Sequence, residues 1–160
     1  MTTIAFDAMR AFGLEPDPAG LDRNLATFGD GAPHKIVELA ALAGERARET
    51  VVGGVIAIRD SNGMAKIEGL YVAPAARGRG LGRALLERAL DACAASGCTT
   101  VNLYSWSRMS AALRLYETAG WTRTADPAPE TGADRAFTYA MSASDASVRT
   151  ARWRVGTDSP

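Results

Sequence analysis

Residues 65–95 read AKIEGLYVAPAARGRGLGRALLERALDACAA, and the fold is decided here. Residues 66–72 have the length and the Val, Ile and Tyr content of a strand, which Pro74 stops. Further on, Leu81, Leu85, Leu86, Ala89, Leu90 and Cys93 recur with helical period, one apolar stripe on a helix of roughly three to four turns. Between strand and helix lies Arg77-Gly78-Arg79-Gly80-Leu81-Gly82-Arg83. Alternating glycines leave no Cβ in the way of a ligand. The amides of such a turn are also the first N–H groups of the helix, which have no acceptor inside it and stand at the positive end of its dipole. With three arginines around them, they make a cradle for a diphosphate rather than a plain solvated turn.

Two nucleotide folds do not fit. A P-loop needs Lys and then Ser or Thr after its last glycine, whereas Arg83-Ala84 follow Gly82. A dinucleotide fingerprint needs a third glycine where Arg83 stands, and an acid ending the next strand, where Tyr104 and Ser105 stand.

The pattern Arg77-x-x-Gly80-x-Gly82, after the strand end Leu70-Tyr71-Val72-Ala73-Pro74, resembles the acyl-CoA signature of the GNAT superfamily of N-acetyltransferases. Residues 109–121, MSAALRLYETAGW, resemble a second element of that family, written N-x-x-A-x-x-L-Y-x-x-x-G-F. The likeness is strong over residues 67–121 and extends over 35–141. It implies an α/β (α+β) GNAT fold: a mixed, mostly antiparallel sheet of about six to seven strands, flanked by helices and splayed at the acyl-CoA site.

The resemblance also implies acetyl-CoA as cosubstrate and direct transfer to an amine in a ternary complex. Leu70, Tyr71 and Val72 would lie along the pantetheine, with the Val72 N–H aimed at the thioester carbonyl as a preorganised donor. Arg77, Gly78, Arg79, Gly80, Leu81, Gly82 and Arg83 would hold the pyrophosphate, and Met109 and Ala112 would face the cofactor arm. Met109 stands where the family usually has asparagine, which removes one polar contact. Tyr116 matches the tyrosine that protonates the departing thiolate. A phenol with a reference pKa of about 10 is suited to that step when the two groups touch.

A general base is less evident. Family glutamates align with Lys66 and Tyr104, so Glu68 is the substitute, expected on the strand face of Leu70 and Val72. The competing expectation pairs Glu68 with Lys66 or Arg59. An acyl-CoA-binding sensor or partner module with little catalysis therefore stands as the alternative. Tyr104, Trp106 and residues 15–35 are candidates to line the site of an acceptor, a small molecule or a protein amino group, that no charge pattern identifies.

The chain has 160 residues, read as one domain over 1–141 and a tail over 142–160 that contains Trp153. Its 18 basic and 18 acidic side chains balance, which argues against bulk nucleic-acid binding. The longest apolar run, residues 51–58, is far short of a membrane span, and the amino terminus lacks an export pattern. Cys93 and Cys98 are too few for a disulfide scaffold or a zinc site. Both thiols are expected reduced and buried in a cytoplasmic protein. The family likeness leaves a homodimer open.

Along the rest of the chain, residues 2–6 suggest a first strand, and Leu21, Leu25 and Phe28 a short helix. His34 reads as a loop or capping residue ahead of a catalytic base. Strands follow at 36–42 and 51–59, the second containing Gly53-Gly54, and residues 60–63 form a hairpin turn. A strand is expected over 99–104, then a helix capped by Ser107 with Met109, Ala112, Leu113 and Tyr116 on one face. Gly120 ends that helix with Trp121 packed back on it, and strands at 122–123 and 135–141 flank a loop over 126–134.

Overall fold

The computed structural model describes residues 2–44, 49–60, 62 and 64–141. The expected tail over 142–160, and parts of the two turns between the first three strands, lie outside the described residues. Six strands form one sheet in the order β1-β2-β3-β4-β6-β5. They are β1 (Lys35–Ala43), β2 (Thr50–Arg59), β3 (Ala65–Val72), β4 (Thr100–Ser105), β5 (Thr122–Arg123) and β6 (Arg135–Ala140). All neighbours are antiparallel except β3 and β4, which run parallel. Parallel neighbours need a crossover, and helix α3 (Leu81–Ala95) supplies it. The remaining helices are α1 (Thr2–Ala11), α2 (Arg23–Ala26) and α4 (Ser110–Thr118).

Alternate residues of β2 divide the core between the two faces of the sheet. Val55 and Ala57 pack with Leu85, Leu86, Leu90 and Tyr116, so that face is covered by α3 and α4. Ile56 and Ile58 pack with Ala5 and Met9 of α1 and Leu25 of α2. Burying each large aliphatic side chain stabilises the fold by roughly 1.5–3 kcal/mol. Gly53 lets α3 approach: a Cβ there would lie 2.8 Å from the Tyr71 carbonyl oxygen and 3.3 Å from Leu85 Cδ1. No helix among the described residues is long and apolar enough to cross a membrane.

Three expectations away from β3 are corrected. Residues 2–6 are helical: Ala5 and Met9, four apart, are buried against β2, and this packing outweighs the strand preference of Thr and Ile. Leu21 is exposed, and only Leu25 of the expected helix stripe is fully buried. Ser107 does not cap α4, whose first residue is Ser110; its N–H and hydroxyl both donate to the Asp134 carboxylate, each at 2.6 Å. The other end of α4 is as expected. Gly120 has φ 84°, its N–H donates to the Glu117 carbonyl, and the Trp121 N–H donates to that of Tyr116. This pairing satisfies the last carbonyls and turns the Trp121 ring onto Tyr116.

A bulge in β3 matters most for the site. Ile56 faces Gly69 and Ala57 faces Ile67, so Glu68 is the extra residue. Ile67, Leu70 and Val72 all join the cluster under α3. Glu68 reaches Asn24 of α2 instead, and a Cβ on Gly69 would meet Leu25 of α2. The expectation that Glu68 shares a face with Leu70 and Val72 is therefore overturned: the bulge breaks the alternation on which it rested.

Candidate active site

Beside the bulge, β3 and β4 separate. They pair at Ala65↔Val101, Lys66↔Asn102 and Ile67↔Leu103, and beyond Ile67 the register ends. On its other edge β3 stays paired, as far as the Ala73 N–H donating to the Val52 carbonyl at 2.8 Å. An antiparallel ladder alternates, so Ala73 and Tyr71 bond towards β2 while the main-chain groups of Leu70 and Val72 point into the gap. Arg77 Nε donates to the Val72 carbonyl at 3.0 Å. The Val72 N–H is left facing the opening.

At the top of the gap, Gly80 caps α3 with φ 78° and, having no side chain, offers no capping bond. The first amide bonded within the helix is that of Ala84, to the Gly80 carbonyl. The amides of Leu81, Gly82 and Arg83 precede it and have no helical acceptor. No acid lies in this first turn. Arg83 bonds the carbonyl and hydroxyl oxygens of Thr118, tying the loop to the end of α4.

These elements surround a cavity of about 390 Å³. Of the predicted cofactor residues, all but Arg79 line it. Ala8 of α1, Phe12 in the turn after it, and Leu115 of α4 line it too and were not anticipated. The spacing Ala5, Met9, Phe12 is a helical signal that would have placed α1. Leu115 is marked by Gly82, where an added Cβ would sit 3.5 Å from Leu115 Cδ2.

Tyr116 borders this cavity and a second, smaller cleft of about 50 Å³ that includes Glu68, Tyr104 and Trp106. The Tyr116 side chain is buried among Trp121 and Phe137. Burial pushes its phenol up to about 12, so it is protonated at neutral pH. Burial also raises Tyr71, reinforced by the nearby Asp22 carboxylate.

Glu68 is paired with Lys66, as the competing expectation had it, with Lys66 Nζ donating to Oε1 at 3.0 Å. Arg59 lies elsewhere and donates to the Ser96 carbonyl. The second Glu68 oxygen accepts from Asn24 Nδ2 at 2.5 Å, and the Asn24 oxygen lies 2.7 Å from His34 Nε2. Lys66 also sits over the Tyr104 ring, 5.1 Å from its centre. Trp106 Nε1 donates to the Gly132 carbonyl and holds the 126–134 loop beside the cleft. Among the described residues, no group of three or more His, Cys, Asp or Glu side chains is placed to hold a metal ion.

Comparison with known proteins agrees with this geometry. A mycothiol acetyltransferase from Beutenbergia cavernae is 50% identical over 56 residues, a match spanning 35% of this chain and 19% of that relative. An IAA acetyltransferase from Azospirillum brasilense is 32% identical over 109 residues, 63% of this chain and 71% of the relative. The crystal structure of PaiA N-acetyltransferase from Thermoplasma acidophilum, in complex with coenzyme A, superposes with a TM-score of 0.67 at 16% identity, covering 88% of this chain and 90% of that one. The acetyltransferase (GNAT) family model matches residues 4–121, and the chain belongs to that family.

Proposed function

We propose that this chain is an N-acetyltransferase that moves the acetyl group of acetyl-CoA to an amine, on a small molecule or a protein, by direct attack in a ternary complex. The observation that carries this reading is the gap beyond Ile67, where a β3 edge with no partner strand meets the unpaired amides of α3. An extended pantetheine has amides to match the first, and a pyrophosphate matches the second.

In this reading the acceptor nitrogen attacks the thioester carbon and a C–N bond forms. The oxyanion is held by the Val72 N–H. Collapse breaks the C–S bond, and the thiolate takes the Tyr116 hydroxyl proton. The nitrogen's proton passes to Glu68, directly or through water. The high pKa of Tyr116 does not oppose its role. Desolvation disfavours a bare thiolate as it does a bare phenolate, so the same surroundings raise the basicity of both. The two relatives are named for different compounds, so neither name is carried over to this chain.

Calorimetry with CoA and acetyl-CoA, followed by thiol release from acetyl-CoA with a panel of amines, tests the reading. Heat on binding and amine-dependent release are expected. Binding without release would leave an acyl-CoA-binding module, and no binding would remove both.

A further inference from the structure

Glu68 stands at the end of a chain of side chains drawn from three parts of the sequence. Asn24 of α2 lies 44 residues from Glu68, and His34 lies ten residues from Asn24. A side-chain amide has donors on nitrogen and only acceptors on oxygen. Turned the other way, Asn24 would set its oxygen against a carboxylate. A carboxylate only accepts, so the amide nitrogen faces Glu68; the Asn24 oxygen then faces His34 Nε2, and the tautomer carrying its proton there holds that orientation. Lys66 takes the other oxygen of Glu68. An ionised carboxylate has roughly four acceptor sites, so two filled sites fix its plane and the rest stay open to the cleft. The bulge at Glu68 removes the regular ladder that would otherwise fix its direction.

We propose that Asn24, oriented by His34, is a positioning residue that aims the Glu68 carboxylate at the acceptor amine. The inference rests on Glu68 as the proton acceptor of the proposed reaction. His34 is exposed, so losing its bond to Asn24 leaves the core intact and an effect on turnover is separable from stability.

The test uses the full chain, acetyl-CoA and the amine giving the fastest thiol release among ethanolamine, butane-1,4-diamine, tryptamine and glycine methyl ester. Asn24→Ala is expected to lower kcat about tenfold, because small misplacements of a reacting group are costly. Amine KM and CoA affinity should move by no more than about twofold. His34→Ala should act in the same direction, and His34→Gln, which keeps a donor at similar reach, should recover the loss. The double variant Glu68→Gln/Asn24→Ala should be no slower than Glu68→Gln alone, a coupling that a merely structural role would not produce.

An unchanged kcat in Asn24→Ala, additive losses in the double variant, or wild-type turnover in Glu68→Gln would each overturn the inference. The first two leave the acetyltransferase reading standing. A wild-type chain that binds no CoA and releases no thiol with any amine overturns that reading and the inference with it.

Discussion

On one side of the gap, residues 70–83 present main-chain groups from a single continuous stretch, and the proposed cofactor would meet mostly backbone. On the other, the proposed acceptor cleft is lined by Glu68, Tyr104 and Trp106, with Asn24 and His34 tied to Glu68 by side-chain bonds between distant segments. Backbone donors at a helix start carry no side chain to replace and no proton to lose. Side-chain ties can be changed one at a time and respond to pH. The first construction suits a ligand that stays the same, and the second suits one that differs among relatives.

Tyr116 borders both sides, so its replacement gives the largest expected effect. Tyr116→Phe should lower kcat about 10²-fold or more, the range typical of a lost general acid. Calorimetric affinity for acetyl-CoA should change little, since the ring and its packing on Trp121 and Phe137 remain. Parallel losses of both would place Tyr116 on the binding side alone.

The same contrast explains which parts were legible in the sequence. The strand, loop and helix of residues 65–95 carry local signals: a proline stop, alternating glycines and a continuous apolar stripe. The α4 turn at Gly120 and Trp121 is local too. Residues 2–34 were only partly legible: Ala5, Met9 and Phe12 carry helical spacing, but the face α1 turns inward is fixed by Ala5 and Met9 meeting β2, a contact between segments. The face of Glu68 was misjudged because strand alternation assumes no bulge. Gly69 was the available hint, since a glycine inside a strand marks bulges and close approaches. The link from His34 to Glu68 through Asn24 leaves no pattern in sequence at all.

Alkaline pH tests the buried phenol. Tyr116 has a native pKa of about 12 against a usual 10, so the folded state holds its proton more tightly than the unfolded chain does. Its contribution is complete below about pH 10 and is lost as pH rises through 12, on the order of 2–3 kcal/mol. Denaturant midpoints should fall over this interval, and Tyr116→Phe should flatten the fall. Equal slopes in the two chains would show that the phenol is less buried than the geometry requires.

Two glycine substitutions separate the sides directly. Gly80→Ala puts a Cβ on a residue with φ 78° and open space around it, so its cost is backbone strain of about 1–2 kcal/mol. It should weaken CoA binding about tenfold, the equivalent of about 1.4 kcal/mol, by moving the α3 amides. Gly69→Ala places a Cβ 2.6 Å from Leu25 Cδ2 and pushes α2, which carries Asn24. It should cost about 1–3 kcal/mol and lower kcat, and because the same Cβ lies 3.3 Å from Tyr71 Cε2 it should weaken CoA binding, though much less than Gly80→Ala does. If Gly69→Ala weakens CoA binding as much as Gly80→Ala does, the two sides are not independent.

Acid gives the smallest effect and reaches only the acceptor side. Asp30 is held at a pKa of about 2, first by its hydrogen bond to the Lys35 ammonium and then by the Ala32 amide. Lys35 Nζ lies 2.8 Å from Asp30 and donates to the Thr27 carbonyl at 2.7 Å and to Glu38 at 2.8 Å, pinning the segment before β1. With its native pKa depressed from 3.8, Asp30 contributes fully above that value and loses its contribution as pH falls through about 2. The group is exposed, so global stability should barely register the change. Hydrogen exchange should register it: amides of residues 29–32 lose protection between about pH 4 and pH 2 while those of α3 keep theirs. Simultaneous loss in both would make the molecule one cooperative unit, because a segment anchored by one titrating ion pair cannot open alone if its neighbours share its stability.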